Sequence, residues 1–239
     1  MNKKNILKKY FTLIILFFFK NIVAQNFEIR EKIISKSEHN SFIDSLYQNK
    51  EKNFFFEDEN YTVSKICKGE WGGAVIFTNK ITQDNFICKS NCPVSIVFYN
   101  NSYVLTSTLR HGIYSSEIIE IKRPEKLLKI KTSNYDQNLD LIPDNNTKRW
   151  IKIYGYSTLG TFVFKNKIYH IISNSEGTYI SKVRFNKFKL IKKITDQRLW
   201  SISSNNFFQD DSLIIPFSDK LNIGFLKIHK NQIIYTKTN

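Results

Sequence analysis

Recognisable catalytic signatures are missing from this chain. It contains no Gly-x-Ser-x-Gly elbow, no P-loop, no dinucleotide fingerprint and no His-Glu-x-x-His pair, so the common hydrolase and nucleotide-dependent enzyme classes find no support in it. Cysteine is scarce. Cys67, Cys88 and Cys92 have no second Cys or His pair at metal-ligand spacing, which excludes a four-ligand structural zinc site. Alanine occurs only at Ala24 and Ala74, while Lys, Asn, Ile, Phe and Tyr abound, the usage expected of AT-rich coding sequence. The longest apolar run, residues 11–19, is far short of the roughly 20 residues a bilayer-spanning helix needs.

That short run is informative for what precedes it. Lys3, Lys4, Lys8 and Lys9 come before it, Lys20 ends it and the small residue Ala24 follows, the layout of a secretory signal peptide over residues 1–25. The mature chain is therefore expected to be exported, periplasmic or secreted, with no transmembrane span. No cysteine directly follows the run, so no lipid-anchor site is expected. In an oxidising compartment three cysteines read as one disulfide and one spare thiol. Ser90-Asn91 supplies turn chemistry that would let Cys88 and Cys92 pair, with Cys67 joined to either as the open alternative.

The formal net charge is +15, with 36 basic and 21 acidic residues. Removing the five lysines of the signal segment leaves 31 against 21, an excess of 10. These lysines are scattered, whereas a bound polyanion calls for a stripe or patch, so nucleic acid is not an expected partner.

Residues 26–35 alternate loosely, as a strand would, and Ser41 with Asp44 resembles a capping box ahead of Phe42, Ile43, Leu46 and Tyr47 on one helical face. From about Tyr61 the chain becomes short runs rich in Val, Ile, Tyr, Phe and Thr between polar turns, an all-β pattern. The clear runs are 74–78, 94–99, 103–109, 116–121, 161–164, 168–173, 179–185, 213–217, 223–228 and 232–236. Tight turns are signalled at Asn100-Asn101, Lys165-Asn166 and Lys230-Asn231. The expected organisation is a signal peptide (1–25), an N-terminal strand and short helix (26–60) and a β domain (61–239).

Within that domain residues 103–121, 168–185 and, more weakly, 212–228 repeat one plan of two apolar strands about a glycine turn. Trp71, Trp150 and Trp200 stand upstream of the three copies. The first two copies carry Gly-x-Tyr, at Gly112/Tyr114 and Gly177/Tyr179. On these features the chain from Trp71 onward resembles a degenerate β-propeller of the kind found in exported bacterial proteins. The resemblance implies a small irregular propeller of about four or five antiparallel blades, with residues 26–35 pairing with the C-terminal strands. A β-sandwich is the alternative arrangement of such strands.

Four groups of residues are candidates for chemistry. Propellers bind ligands where loops gather at one end, which points to Trp71, Arg110, His111 and Tyr114. Asp136, Asn138, Asp140 and Asp144 stand at relative positions 1, 3, 5 and 9, a spacing that resembles calcium loops, although Leu141 and Thr147 stand where such loops carry Gly and a bidentate Glu. Glu70, His111, Glu117 or the loop 136–144 are what a glycan hydrolase would use. Asp210-Asp211 and the run Glu57-Asp58-Glu59 point in different directions along the backbone and read as solvated charge. The expected function is a non-catalytic binding or interaction module for a glycan or another cell-envelope protein, calcium being the one candidate cofactor. The alternatives are an extracytoplasmic glycan hydrolase and a calcium-stabilised surface protein.

Overall fold

The computed structural model describes residues 27–48, 55–109, 114–131, 139–143, 145–201 and 206–239. The signal segment lies outside them. The chain opens with β1 (Glu28–Ile34) and the one described α-helix, α1 (Lys36–Gln48), followed by four β-sheets laid down in sequence order.

The first sheet comprises β2 (Phe56–Glu57), β3 (Tyr61–Cys67), β4 (Gly73–Asn79) and β5 (Asn85–Ser90). The second contains β6 (Pro93–Tyr99), β7 (Ser102–Leu109) and β8 (Ser115–Ile121). The chain then returns through β9 (Leu128–Ile130) to edge the first sheet before β10 (Thr147–Tyr154) edges the second. The third sheet is a plain meander of β11 (Ser157–Phe164), β12 (Lys167–Asn174), β13 (Gly177–Arg184) and β14 (Lys187–Thr195). The fourth is built from β15 (Trp200–Ser201), β16 (Phe207–Gln209), β17 (Ser212–Ser218), β18 (Ile223–His229) and β19 (Gln232–Thr238). β1 joins β19 in parallel, with Glu28 opposite Gln232 and Ile34 opposite Thr238, so the N-terminal segment belongs to the C-terminal sheet.

Strict alternation along the strands gives each sheet two apolar faces, and these pack the sheets in a series. Val63, Val75, Phe77 and Phe86 of the first sheet meet Ile96, Tyr103, Leu105 and Ile119 of the second. The opposite face of the second, Val104, Ile118 and Ile151, meets Ile172, Tyr179 and Phe188 of the third. Tyr169, Ile171 and Ile180 on the third sheet's other face meet Ile215, Phe217, Leu226 and Tyr235 of the fourth, with Phe27 inserted among them. At about 1.5–3 kcal/mol for each buried large apolar side chain, these three seams dominate the stability.

Both end faces of the series are covered. Phe42, Ile43 and Leu46 of α1 lie on Ile214 and Phe225 of the fourth sheet. Leu139 and Ile142, flanking a 3-10 turn, lie on Ala74, Ile76 and Ile87 of the first. Among the described residues no apolar cluster joins the first sheet directly to the fourth.

Two local expectations shift. The capping box of α1 is Ser35 with Glu38, six residues before Ser41-Asp44: the Ser35 N–H donates to Glu38 Oε2 (2.8 Å) and the Glu38 N–H to Ser35 Oγ (3.2 Å). The tryptophans do not head equivalent units. Trp71 precedes β4 of the first sheet, whereas Trp150, expected to head the 168–185 copy, lies on β10 in the same sheet as the 103–121 copy. The three repeated segments themselves are the hairpins β7–β8, β12–β13 and β17–β18, one in each of the last three sheets.

Candidate functional site

Antiparallel order sends the connections between strands to two opposite rims. One rim carries the two-residue turns 100–101, 165–166, 185–186, 210–211 and 230–231. The other carries residues 68–72 between β3 and β4, 110–114 between β7 and β8, and 219–222 between β17 and β18. It also carries the sheet-to-sheet connections 91–92, 155–156 and 196–199. Trp71 and Tyr114 both fall on this loop rim.

Trp71 ends a 3-10 turn, Gly69–Trp71, and its side chain is 79% exposed. The loop beneath it is anchored. Lys68 and Gly72 close it with a 2.8 Å backbone bond, and Gly69 and Gly72 take φ of 65° and 84°, a region that favours glycine. A disulfide joins Cys67, at the end of β3, to Cys92 just before β6. This corrects the expected Cys88–Cys92 pairing. Cys88 lies in the middle of β5 with its side chain in the apolar seam beside Val75 and Phe77, a buried thiol outside the disulfide. Gly73 explains why Cys67 and Cys92 meet: a Cβ there would lie 2.4 Å from both Ile66 O and Asn91 O, so only glycine lets the two flanking strands close on β4.

Tyr114 sits at the entry to β8, its carbonyl accepting the Gly155 N–H at 2.7 Å. Against its ring lies a residue that sequence reasoning missed. Arg198, in the 196–199 connection, places Cζ 3.8 Å from the Tyr114 ring centroid. No sequence signal could have paired residues 84 positions apart on different sheets. Arg110 and His111 lie outside the described residues.

Behind this rim the seam between second and third sheets turns polar. Thr108 Oγ1 donates to the Thr158 carbonyl and accepts the Thr158 N–H, both at 2.9 Å; Thr158 Oγ1 donates to Ser116 Oγ (2.9 Å). A separate set joins Thr106, Thr161 and His170 at 2.8 and 2.9 Å. His170 is fully buried, and burial pushes its imidazole from 6.5 down to about 3, so it is neutral.

The acids do not converge. Glu117 and Glu120 on β8 point to opposite faces of the second sheet, each with its own partner. Arg149 Nε donates to Glu117 Oε1 at 2.6 Å. Glu120 accepts Trp150 Nε1 (2.9 Å) and Ser102 Oγ (3.0 Å); burial raises its carboxyl pKa, but these hydrogen bonds outweigh it and hold the group below the usual range. Glu57 pairs with Lys80, and Asp58 accepts the Asn60 and Tyr61 N–H groups and the Tyr103 hydroxyl (2.6 Å). Asp210-Asp211 is a hairpin turn with φ of 47° and 56°. Asp136, Asn138 and Asp144, the Asp140 side chain and the Glu70 side chain lie outside the described residues. Among the described residues no three His, Cys, Asp or Glu side chains gather as a metal set would.

A second concavity opens on the turn-rim side of the same seam, a groove of about 350 Å³ lined by Tyr99, Trp150, Ile168 and Val183. Its aromatic walls are pinned, Trp150 by Glu120 and Tyr99 by its hydroxyl bond to the Asn166 carbonyl (3.0 Å). No helix among the described residues is long and apolar enough to cross a membrane. No known protein family matches the chain, and no curated protein matches it in sequence.

Proposed function

We propose that the chain is an exported, non-catalytic binding module whose loop rim is the ligand face. The observation that carries this reading is Trp71. A tryptophan 79% exposed on a loop clamped at its base by a disulfide and by Gly73 contributes little to packing, and its stacking surface faces solvent with its backbone already ordered. Large aromatic side chains held this way are typical contact residues, because little conformational entropy is lost when they bind.

Catalysis is disfavoured by the acids. Glycoside hydrolysis needs two carboxyls facing each other across the scissile bond, whereas Glu117, Glu120 and Glu57 are engaged by separate partners, Arg149, Trp150 and Lys80, and Asp58 and Glu125 accept the hydroxyls of Tyr103 and Tyr61. Export is supported by the layout of residues 1–25 and by a disulfide, a bond that persists in oxidising compartments.

We read the architecture as an irregular four-bladed propeller. Four sequential sheets packed face to face support it, as does the joining of β1 to β19. In this reading α1 and the Leu139–Ile142 turn fill the gap between the first and last blades, in place of direct contact between them.

The test is a thermal-shift screen of the mature protein against neutral and acidic glycans and cell-envelope fractions, with and without calcium. For any hit, Trp71→Ala is expected to abolish the ligand-induced rise in Tm while changing unliganded stability by no more than about 0.5 kcal/mol. A hit that Trp71→Ala leaves intact, or turnover of a glycan hit, overturns the reading.

A further inference from the structure

The Arg198 guanidinium is unusual in what it does not touch. Its Nε and Nη2 atoms are buried and have no hydrogen-bond partner among the described residues, although the residue as a whole keeps some exposed surface. These two nitrogens form one edge of the guanidinium plane, the edge that donates two parallel hydrogen bonds to the oxygens of a carboxylate or phosphate. The face of the plane is taken by Tyr114, with Cζ 3.8 Å from the ring centroid, so stacking fixes the plane and leaves that edge unused.

Carboxylates near it in sequence are engaged elsewhere. Asp196 accepts Lys193 at 2.6 Å, and Glu117 on the neighbouring sheet accepts Arg149. A second orphan lies on the same rim. Ser157 is 3% exposed, and its hydroxyl has no partner. It stands opposite Ser173, whose Oγ accepts the N–H of Leu199, the residue next to Arg198. A buried donor left unmade costs about 1–3 kcal/mol, more when charged, so three such atoms on one rim are a standing cost that an entering acceptor would remove.

Resting on the reading that the loop rim is the ligand face, we infer that Arg198, with its plane set by Tyr114, is the oxyanion receptor of that face, and that the ligand is an acidic sugar. The guanidinium edge supplies the bidentate grip on the oxyanion. The exposed Trp71 indole on the same rim favours a sugar as its carrier, since aromatic faces stack on sugar rings.

The side-chain Nε–H resonance of Arg198, assigned with Arg198→Lys and followed by NMR, reads the site directly. Titration with acetate, glucuronate and glucose 6-phosphate is expected to shift it, whereas glucose is not; the stronger of the two acidic sugars identifies the oxyanion as carboxylate or phosphate. Arg198→Lys keeps the charge but not the two-donor edge, and is expected to weaken acidic-sugar binding at least tenfold. Tyr114→Leu is expected to weaken it less, by freeing the plane. In Arg198→Met, which removes the orphan donors, the unliganded Tm is expected to be unchanged or higher.

A resonance unmoved by every anion overturns the inference. So does a response to glucose equal to that of the acidic sugars, or equal binding by wild type and Arg198→Lys. A ligand that binds through Trp71 but ignores Arg198 overturns this inference alone. An anion response that no sugar shares sinks the sugar class and leaves the receptor.

Discussion

On the turn rim, five hairpins reverse in two residues each, and at Asn100-Asn101, Lys165-Asn166, Phe185-Asn186 and Asp210-Asp211 both turn residues take positive φ between 47° and 57°. That backbone matches the twist of the flanking strands, so these hairpins close through local geometry, to which the Tyr99 hydroxyl on the Asn166 carbonyl adds one bond from another sheet. On the loop rim the β3–β4 and β7–β8 connections are five residues long, and the structure beneath them is tied by a disulfide and by two sets of buried hydroxyl bonds, one joining Thr108, Thr158 and Ser116 and one joining Thr106, Thr161 and His170. The difference teaches how two kinds of reversal are held: a two-residue hairpin orders itself, whereas the five-residue loops 68–72 and 110–114 stand on a disulfide and on buried hydroxyl bonds. The loop rim also carries Trp71, Tyr114 and Arg198.

The contrast breaks most severely if the covalent tie is removed. Cys67→Ser with Cys92→Ser opens a link spanning 25 residues, and is expected to cost about 3 kcal/mol in urea unfolding while Cys88→Ala costs less. Equal losses from the two variants would place the burden on packing. The hydroxyl set that includes His170 is tested by pH. His170 stays neutral in the folded protein down to about pH 3, but the unfolded chain takes up that proton near 6.5. Unfolding therefore gains a proton anywhere between those values, and acidification through that window lowers stability by about 1.4 kcal/mol per unit, roughly 2 kcal/mol at pH 5. Above 6.5 both states are neutral and the contribution is flat. His170→Gln is expected to remove this share of the slope between pH 7 and 4, and an unchanged slope would show that His170 is not the group responsible. The turn rim gives the smallest effect. Phe185 is a bulky, exposed residue at φ 50°, and replacing Phe185-Asn186 by Asn-Gly is expected to stabilise by about 1 kcal/mol in the same assay, since its loop makes no demand on the rest of the fold.

Much of the sheet structure was legible along the chain. The apolar runs fell within observed strands, save that Phe185 proved to be a turn residue, and the turns at Asn100-Asn101 and Lys165-Asn166 were readable because Asn tolerates positive φ. The interior strands β3 and β5 of the first sheet were not among those runs, and neither were β10 and β14, the edge strands of the second and third sheets, with Lys148, Arg149 and Lys152 on one and Lys187, Lys189, Lys192 and Lys193 on the other. Charge on an edge strand discourages pairing with a second chain, and it also erases the apolar signature by which a strand is recognised. Part of the scattered basic charge is thereby accounted for. The candidate site was half legible: Trp71 and Tyr114 were named for standing at loops, the Cys67–Cys92 bond was the open alternative to Cys88–Cys92, and Arg198 was not named.

Period-two alternation and turn chemistry act over a few residues, so the sequence by itself determined the strands, most of the reversals and the all-β class. Which strands face each other, which cysteine reaches Cys92 and which arginine meets Tyr114 were decided by the tertiary structure. Those contacts join residues 25 to 84 positions apart, and only the stacking of one sheet face on the next brings them within reach.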